Sequence, residues 1–306
     1  MKVLFLGTPD FSAVVLRALA ARYEVTAVVT NPDRPAGRGH KTRPSAASVA
    51  ADELGIPVFK FASVSREGLG EVRSLGADIA VTAAFGQILS EEFISAFPKG
   101  VLNVHASLLP RLRGASPVQW AILGGDEVTG VTIMRTVKAL DAGDILLSES
   151  TRIGEDETAG ELMDRLAVMG GELICRALAL VESGEAVFTP QDDAAATYCH
   201  TISKAEGGMD FTRSATELER FVRGMTPSPS AYFYLNGKRI KVLAAKRCEM
   251  TGAPGEVIAA DIKRGLIVGC GGGSVRLTRI MPEGKGAMND TDWLRGNAVA
   301  AGSRAE

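Results

Sequence analysis

Between Val3 and Glu182 the hydrophobic period of the chain switches repeatedly between two and 3.6 residues, and few folds tolerate that alternation. Apolar runs at Val3–Leu6, Val25–Thr30, Ile56–Phe59, Asp78–Ala84, Val101–His105, Gly130–Thr136 and Ile145–Thr151 read as strands. Helical faces lie between them. Phe11, Val14, Val15, Ala18 and Leu19 fall on one face, behind a Thr8-Pro9 cap. Further helices fit Ser45–Leu54, Ser90–Phe97 and Pro117–Leu123, and a capping box at Thr158 and Glu161 opens one that runs to Glu182. The connection from Asn31 to Arg43 reads as a long loop. Strands alternating with helices predict an α/β domain, a doubly wound and mostly parallel sheet with helices on both faces.

The pattern changes after residue 186. Residues 187–207 show no clear period and are expected to be a linker. A second capping box, Ser214 and Glu217, opens a helix to Gly224. Asn236-Gly237 joins two alternating runs, the strongest short hairpin signal. Counting Ala231–Leu235, Arg239–Ala245, Glu256–Ala260, Leu266–Cys270 and Ser274–Ile280, five short strands with glycine turns predict a small β-barrel. The tail from Val299 is expected to fray. The expected division is a catalytic domain over 1–186, the linker, and a barrel domain over 208–306.

Composition narrows the function. No apolar run approaches the roughly 20 residues that span a bilayer. The first residues read as a strand rather than a signal peptide, so the cytoplasm is the expected compartment. The four cysteines lie far apart without a C-x-x-C pair, which argues against a zinc ribbon or disulfide framework, and no metal-ligand cluster is evident. Residues 1–203 carry 18 Lys and Arg against 25 Asp and Glu; residues 204–306 carry 16 against 11. An acidic front with net −7 and a basic back with net +5 suit two jobs, the second against a polyanion.

The first turn, Gly7-Thr8-Pro9-Asp10, has one glycine and a proline without an amide donor. It does not fit a dinucleotide-binding turn, and a structural role is expected for Gly7. Asn103 and His105 share one face at the C-terminal end of a strand, where α/β sheets bind ligands. An amide beside an imidazole suits chemistry at a carbonyl, one stabilising an oxyanion and the other managing a proton. The same pair can simply close a strand by hydrogen bonding. Asp141 and Asp144, in Leu140-Asp141-Ala142-Gly143-Asp144, can either orient that histidine or form a turn.

Asn103-x-His105, Ser107-Leu108-Leu109-Pro110-Arg111-x-Arg113-Gly114 and Leu140-Asp141-x-Gly143-Asp144 together resemble the signature of the folate-dependent formyltransferases. Phe5–Phe11, Asn31–Gly39 and the basic carboxy-terminal region resemble the branch of that family acting on methionyl-tRNA. The resemblance spans essentially the whole chain. It implies a Rossmann-like domain followed by an OB-like barrel. It implies transfer of a formyl group from 10-formyltetrahydrofolate, as co-substrate and with no metal, to the methionine of initiator methionyl-tRNA. It gives Asn103, His105 and Asp141 as the catalytic trio. Ser107, Leu108, Leu109 and Pro110, with Phe85, Gly86, Ile88 and Leu89 from Ala84–Leu89, would bind folate. The loop carrying Arg34, Arg38, Lys41 and Arg43 would reach the acceptor end of the tRNA, and its net charge of +3 agrees with phosphate contact. Ser116 departs from the usual alanine. A monomer without membrane attachment is the expected state, and His40 and His200, lacking obvious partners, read as incidental. A purine-precursor or amino-sugar formyltransferase would keep the trio but lack the basic loop and barrel. A non-catalytic RNA-binding module would leave the trio without a reason.

Overall fold

In the computed structural model the described residues are 1–36 and 41–306, with 34–36 and 41 described by backbone only. They form two compact units. The first comprises Met1–Pro117, Val128–Arg152 and Met163–Cys199; the second comprises Val118–Glu127, Ile153–Leu162 and His200–Glu306.

The strands of the first unit are β1 (Lys2–Gly7), β2 (Glu24–Thr30), β3 (Arg34–Ala36), β4 (Lys41–Arg43), β5 (Val58–Lys60), β6 (Ile79–Ala83), β7 (Val101–His105), β8 (Arg113–Gly114), β9 (Val128–Arg135), β10 (Ile145–Arg152) and β11 (Tyr198–Cys199). Seven of them make one sheet in the order β5-β2-β1-β6-β7-β9-β10. The first five run parallel. β9 is antiparallel to β7, and β10 to β9. The mostly parallel expectation therefore holds for five strands and changes at one edge. There no helix lies between β9 and β10 to carry the chain back to the starting end, so the return is antiparallel.

Burial follows position. β6 is buried along its whole length and β1 at all but its first residue, as strands covered on both faces must be. The outer strand β10 alternates between covered and open residues. Strand order reverses between β1 and β6, so the C-terminal ends of β1, β6 and β7 border the crevice where such sheets bind ligands. His105 is the last residue of β7. Two local expectations change. Pro9 is itself the N-cap of the helix Asp10–Ala20, without a side-chain bond, and the Thr8 hydroxyl instead accepts from the Asn31 amide at 2.9 Å. The helix Leu69–Ser74 escaped the periodicity, because Val72 is its single buried residue. Among the described residues no helix is long and apolar enough to cross a membrane.

The second unit packs the helix Ala215–Met225 against an antiparallel sheet. Its capping box forms as expected, with Glu217 N donating to the Ser214 hydroxyl and Ser214 N to the Glu217 carboxylate. Ala215, Leu218, Val222 and Met225 then enter a core with Phe233, Val242, Leu277 and Trp293. The strands are β12 (Ala231–Leu235), β13 (Lys238–Cys248), β14 (Val257–Asp261), β15 (Gly265–Gly269), β16 (Ser274–Pro282) and β17 (Met288–Asn289). They run β12-β13-β16-β15-β14, with β17 beside β16. Asn236 and Gly237 turn the first hairpin with φ of 51° and 73°, the left-handed pair that an Asn-Gly turn needs.

The tail does not fray. Tyr234 and Glu306 exchange both backbone bonds, Ala305 N donates to Gly255 O at 2.7 Å, and Val257 N donates to Ser303 O at 2.9 Å. The last residues thus bridge β12 and β14, the two free edges, and close the barrel. A small, weakly apolar tail carries no period, so its role is set by the edges it meets.

Asp290 anchors this unit. It is 1% exposed, and its carboxylate takes Arg276 Nε at 2.9 Å, Arg276 Nη2 at 3.1 Å, Leu266 N at 3.0 Å and Thr291 N at 2.8 Å. Gly265, at φ +85°, lets the backbone pass; a Cβ there would lie 2.1 Å from the carboxylate. Arg276 keeps about a third of its side chain open to water, so what Asp290→Ala loses is chiefly the bonds to Leu266 N and Thr291 N, a cost of about 2 kcal/mol. Urea unfolding followed through Trp293 fluorescence checks this.

Candidate functional site

Asn103 and His105 leave β7 on the same face, and neighbouring elements fix both. The Thr82 hydroxyl, one strand away on β6, donates to Asn103 Oδ1 at 2.7 Å. That bond settles which end of the amide is held and leaves its NH₂ as the group Asn103 can offer an oxygen. His105 is buried. Its Nε2 donates to the carbonyl of Leu112 at 2.9 Å, and its Nδ1 lies 3.7 Å from Asp141 Oδ2. The same carboxylate oxygen accepts from Gly114 N at 2.8 Å. Both ring nitrogens therefore face oxygens, and the segment 112–114 touches both members of the pair.

The backbone is strained to do this. Of six non-glycine residues with positive φ among the described residues, four surround the site: Ala84, Leu112, Ser116 and Asp141. Such strain persists only where the surroundings hold it, and it clusters at functional sites. Gly114, at φ +104°, lies against β11, where a Cβ would meet the Cys199 carbonyl at 2.4 Å.

The expected folate residues divide in two. Ser107 is buried and donates to Arg111 O at 2.7 Å; its carbonyl and Leu109 N both bond the Thr132 hydroxyl, which pins Ser107–Pro110 to β9. The segment Ala84–Leu89 leaves β6 beside β7. Phe85 and Leu89 enter the core, whereas Ile88 is 90% exposed. Gln87 holds the turn, donating to Asn31 Oδ1 and Phe61 O, both at 2.8 Å, and accepting from Val64 N at 2.8 Å. In the basic loop β3 pairs antiparallel with β4, Arg34 opposite Arg43, so two short strands stand where a plain loop was expected. Arg43 is exposed. The side chains of Arg34 and Lys41, and the whole of Arg38 and His40, lie outside the described residues.

Two domain profiles match the chain. One described as formyl transferase covers residues 1–178, and one described as formyl transferase, C-terminal domain, covers 201–298. A methionyl-tRNA formyltransferase of Cereibacter sphaeroides is 46% identical over 306 residues, covering 100% of this chain and 99% of that relative. The chain belongs to the methionyl-tRNA formyltransferase family. Another methionyl-tRNA formyltransferase, of Geotalea daltonii, is 42% identical and covers 99% of this chain and 98% of its own. HypX from Aquifex aeolicus in complex with tetrahydrofolic acid superposes with a TM-score of 0.66 at 18% identity, over 96% of this chain and 47% of that one. A sugar 3N-formyl transferase, solved in the presence of dTDP and 5-N-formyl-THF, gives 0.67 at 16% identity, over 93% and 98%. At such identities these two structures show a shared fold.

Sequence reasoning missed the support around the trio. Arg113, 2% exposed, donates to Gln191 Oε1 from Nε at 3.0 Å and Nη2 at 2.8 Å, and to Asp193 at 2.7 Å. Leu112 N donates to the Thr197 hydroxyl at 2.9 Å and Ala115 N to Cys199 O at 3.1 Å. All these partners come from the stretch expected to be a linker, and polar contacts of this kind leave no periodic signal. His200, expected to lack a partner, has two: Glu206, 2.8 Å from Nε2, and Trp120, whose indole donates to the His200 carbonyl at 2.9 Å. The bond to His200, then those to Ser203, push Glu206 down to about 2.

Burial, and then the nearby Asp141, raise the Cys199 thiol to about 11, so it stays neutral beside the trio. Cys175 and Cys270 are also raised by burial, while Cys248 is partly open. Iodoacetamide at pH 8, read by peptide mass spectrometry, should label Cys248 well before Cys199.

Proposed function

We infer that the chain formylates initiator methionyl-tRNA with 10-formyltetrahydrofolate, and that Asn103, His105 and Asp141 carry the transfer. The observation that carries this reading is the convergence of an oriented amide, a buried imidazole and a carboxylate at the end of β7. The neutral amine of methionine attacks the formyl carbon. The Asn103 NH₂ donates to the oxyanion that forms, and the charge of a protonated His105, whose ring nitrogens face Leu112 O and Asp141, stabilises it through space. Asp141 supports the imidazolium and orders a water that carries the proton from the attacking amine to the leaving folate nitrogen. The bond between that nitrogen and the formyl carbon then breaks, and the new amide remains. Ser107–Pro110 and Ala84–Leu89 flank the trio and hold the pterin. The trio comes from one chain, so a monomer suffices, working in the cytoplasm at the start of translation.

Incubation with 10-formyltetrahydrofolate and methionyl initiator tRNA should yield formyl-methionine. His105→Ala should lower kcat/KM by about 10²–10⁴-fold with the circular dichroism unchanged. Asp141→Asn should be severe and Asp144→Asn mild; the reverse order would assign the wrong carboxylate.

The basic loop supplies selectivity in this reading. Its acidic residue, Asp33, is paired with Lys60 at 2.8 Å, and the four cations of its sequence suit contact with phosphate. Arg38 works at the end of the acceptor stem, where a weak first base pair opens at lower cost than a strong one. Arg38→Ala should reduce formylation of the initiator by at least tenfold while folate binding stays within twofold. Comparing kcat/KM on the initiator and on a variant with a strong first pair is the check; wild-type efficiency and discrimination in Arg38→Ala would reduce the loop to a connector.

A further inference from the structure

Asp141 holds a backbone conformation that an aspartate adopts at a cost, φ +46°. Its carboxylate is tied to Gly114, but that bond alone does not fix the turn on which it rides. The turn is fixed from outside. Gln191 Nε2 donates to the carbonyl of Asp141 at 2.9 Å and to that of Gly143 at 2.7 Å. One amide thus clamps both sides of the Asp141–Gly143 turn. Gly143 is closed in from the other side, where a Cβ would sit 1.8 Å from the Arg135 carbonyl. A side-chain amide can rotate, and only its oxygen tells it which way to face. That oxygen receives two bonds from Arg113. Burial opposes the charge of Arg113, but bonds to Asp193 and Tyr198 outweigh it and raise its pKa above the ordinary arginine value.

We propose that Gln191 is a positioning residue for the transfer, holding the Asp141 turn so that the carboxylate stays against His105, with Arg113 setting the sense of the Gln191 amide. The proposal rests on the assignment of Asp141 to the reaction. The hydrogen bonds of Gln191 among the described residues go to Arg113, Met134, Asp141 and Gly143, so its removal should act on kcat and spare both KM values. A displacement of about 1 Å in such a group can cost up to about 10²-fold.

Gln191→Glu keeps the length and the bonds from Arg113 but turns an acceptor toward two carbonyls. In the full-length enzyme it should lower kcat 10- to 100-fold, with KM for folate and for methionyl-tRNA within twofold. Gln191→Met removes the donor without adding charge, and with it the oxygen that takes two bonds from Arg113; it should give the same split and stands in where its circular dichroism matches that of the wild type. The decisive measurement is the cycle with Asp141→Asn. If Gln191 acts through Asp141, adding Gln191→Glu to Asp141→Asn lowers kcat no further. Multiplying losses, a rise in KM that accounts for the loss, or unchanged kcat in Gln191→Glu would each overturn the proposal while the trio stands. Wild-type kcat in Asp141→Asn would instead remove the trio, and this proposal with it.

Discussion

Burying the guanidinium of Arg113 constrains several parts of the first unit at once. A charge 2% exposed must satisfy its N–H groups within the protein, since an unpaired one costs several kcal/mol. Arg113 does so on Gln191, Asp193 and Tyr198. Its neighbours in sequence then have little choice. Leu112 presents its carbonyl to His105, and Gly114 presents its amide to Asp141. The short parallel pairing of β8 with β11 follows from the same closure. One buried cation thereby joins the end of β7, the 141–143 turn and the 191–199 segment.

This explains which parts of the molecule were legible in the sequence. Strands buried on both faces announce themselves as apolar runs, and β1, β6 and β7 lie within a residue or two of their expected bounds. Capping boxes at Thr158 and Ser214 state helix starts in four residues, and both form. The Asn-Gly hairpin states its own backbone geometry. Asn103, His105 and Asp141 are chemically conspicuous, and the shared face of Asn103 and His105 follows once β7 is drawn. Residues 187–199 state nothing of the sort. Their hydrophobic content is low, and their work is done by Gln191, Thr197 and the Cys199 carbonyl, whose partners lie some 50 to 90 positions away in the chain.

The same distinction separates the barrel strands from the tail. A strand interior is selected by packing, which leaves a period of two; an edge is selected by unpaired backbone groups, which any residue can satisfy. Residues 302–306 close the barrel through main-chain bonds to Tyr234, Gly255 and Val257, with Ala305 alone deeply buried among the apolar groups. Their composition therefore looks like that of a loose end. Arg276 and Asp290 were equally hidden, since sequence shows a charge but not whether an opposite charge and a passing glycine await it.

The turn after β1 shows how a doubly wound sheet can serve a reaction without a nucleotide loop. Glycines at that turn would let a backbone cradle a pyrophosphate. Here Thr8 and Pro9 remove that option, and the Thr8 hydroxyl becomes a post for Asn31. Asn31 donates in turn to Phe85 O at 2.8 Å and accepts from Gln87, so the first turn supports the segment leaving β6. The crevice at the strand-order reversal is thereby shaped by side-chain amides rather than by backbone donors. In the proposed reading the chemistry lies one strand outward, at the end of β7, where Thr82 orients Asn103 and the antiparallel β9 pins Ser107–Pro110. The antiparallel edge has a consequence of its own. Because β9 and β10 are joined by a loop rather than a helix, residues 136–144 are free to fold back, and that return is what delivers Asp141 to His105.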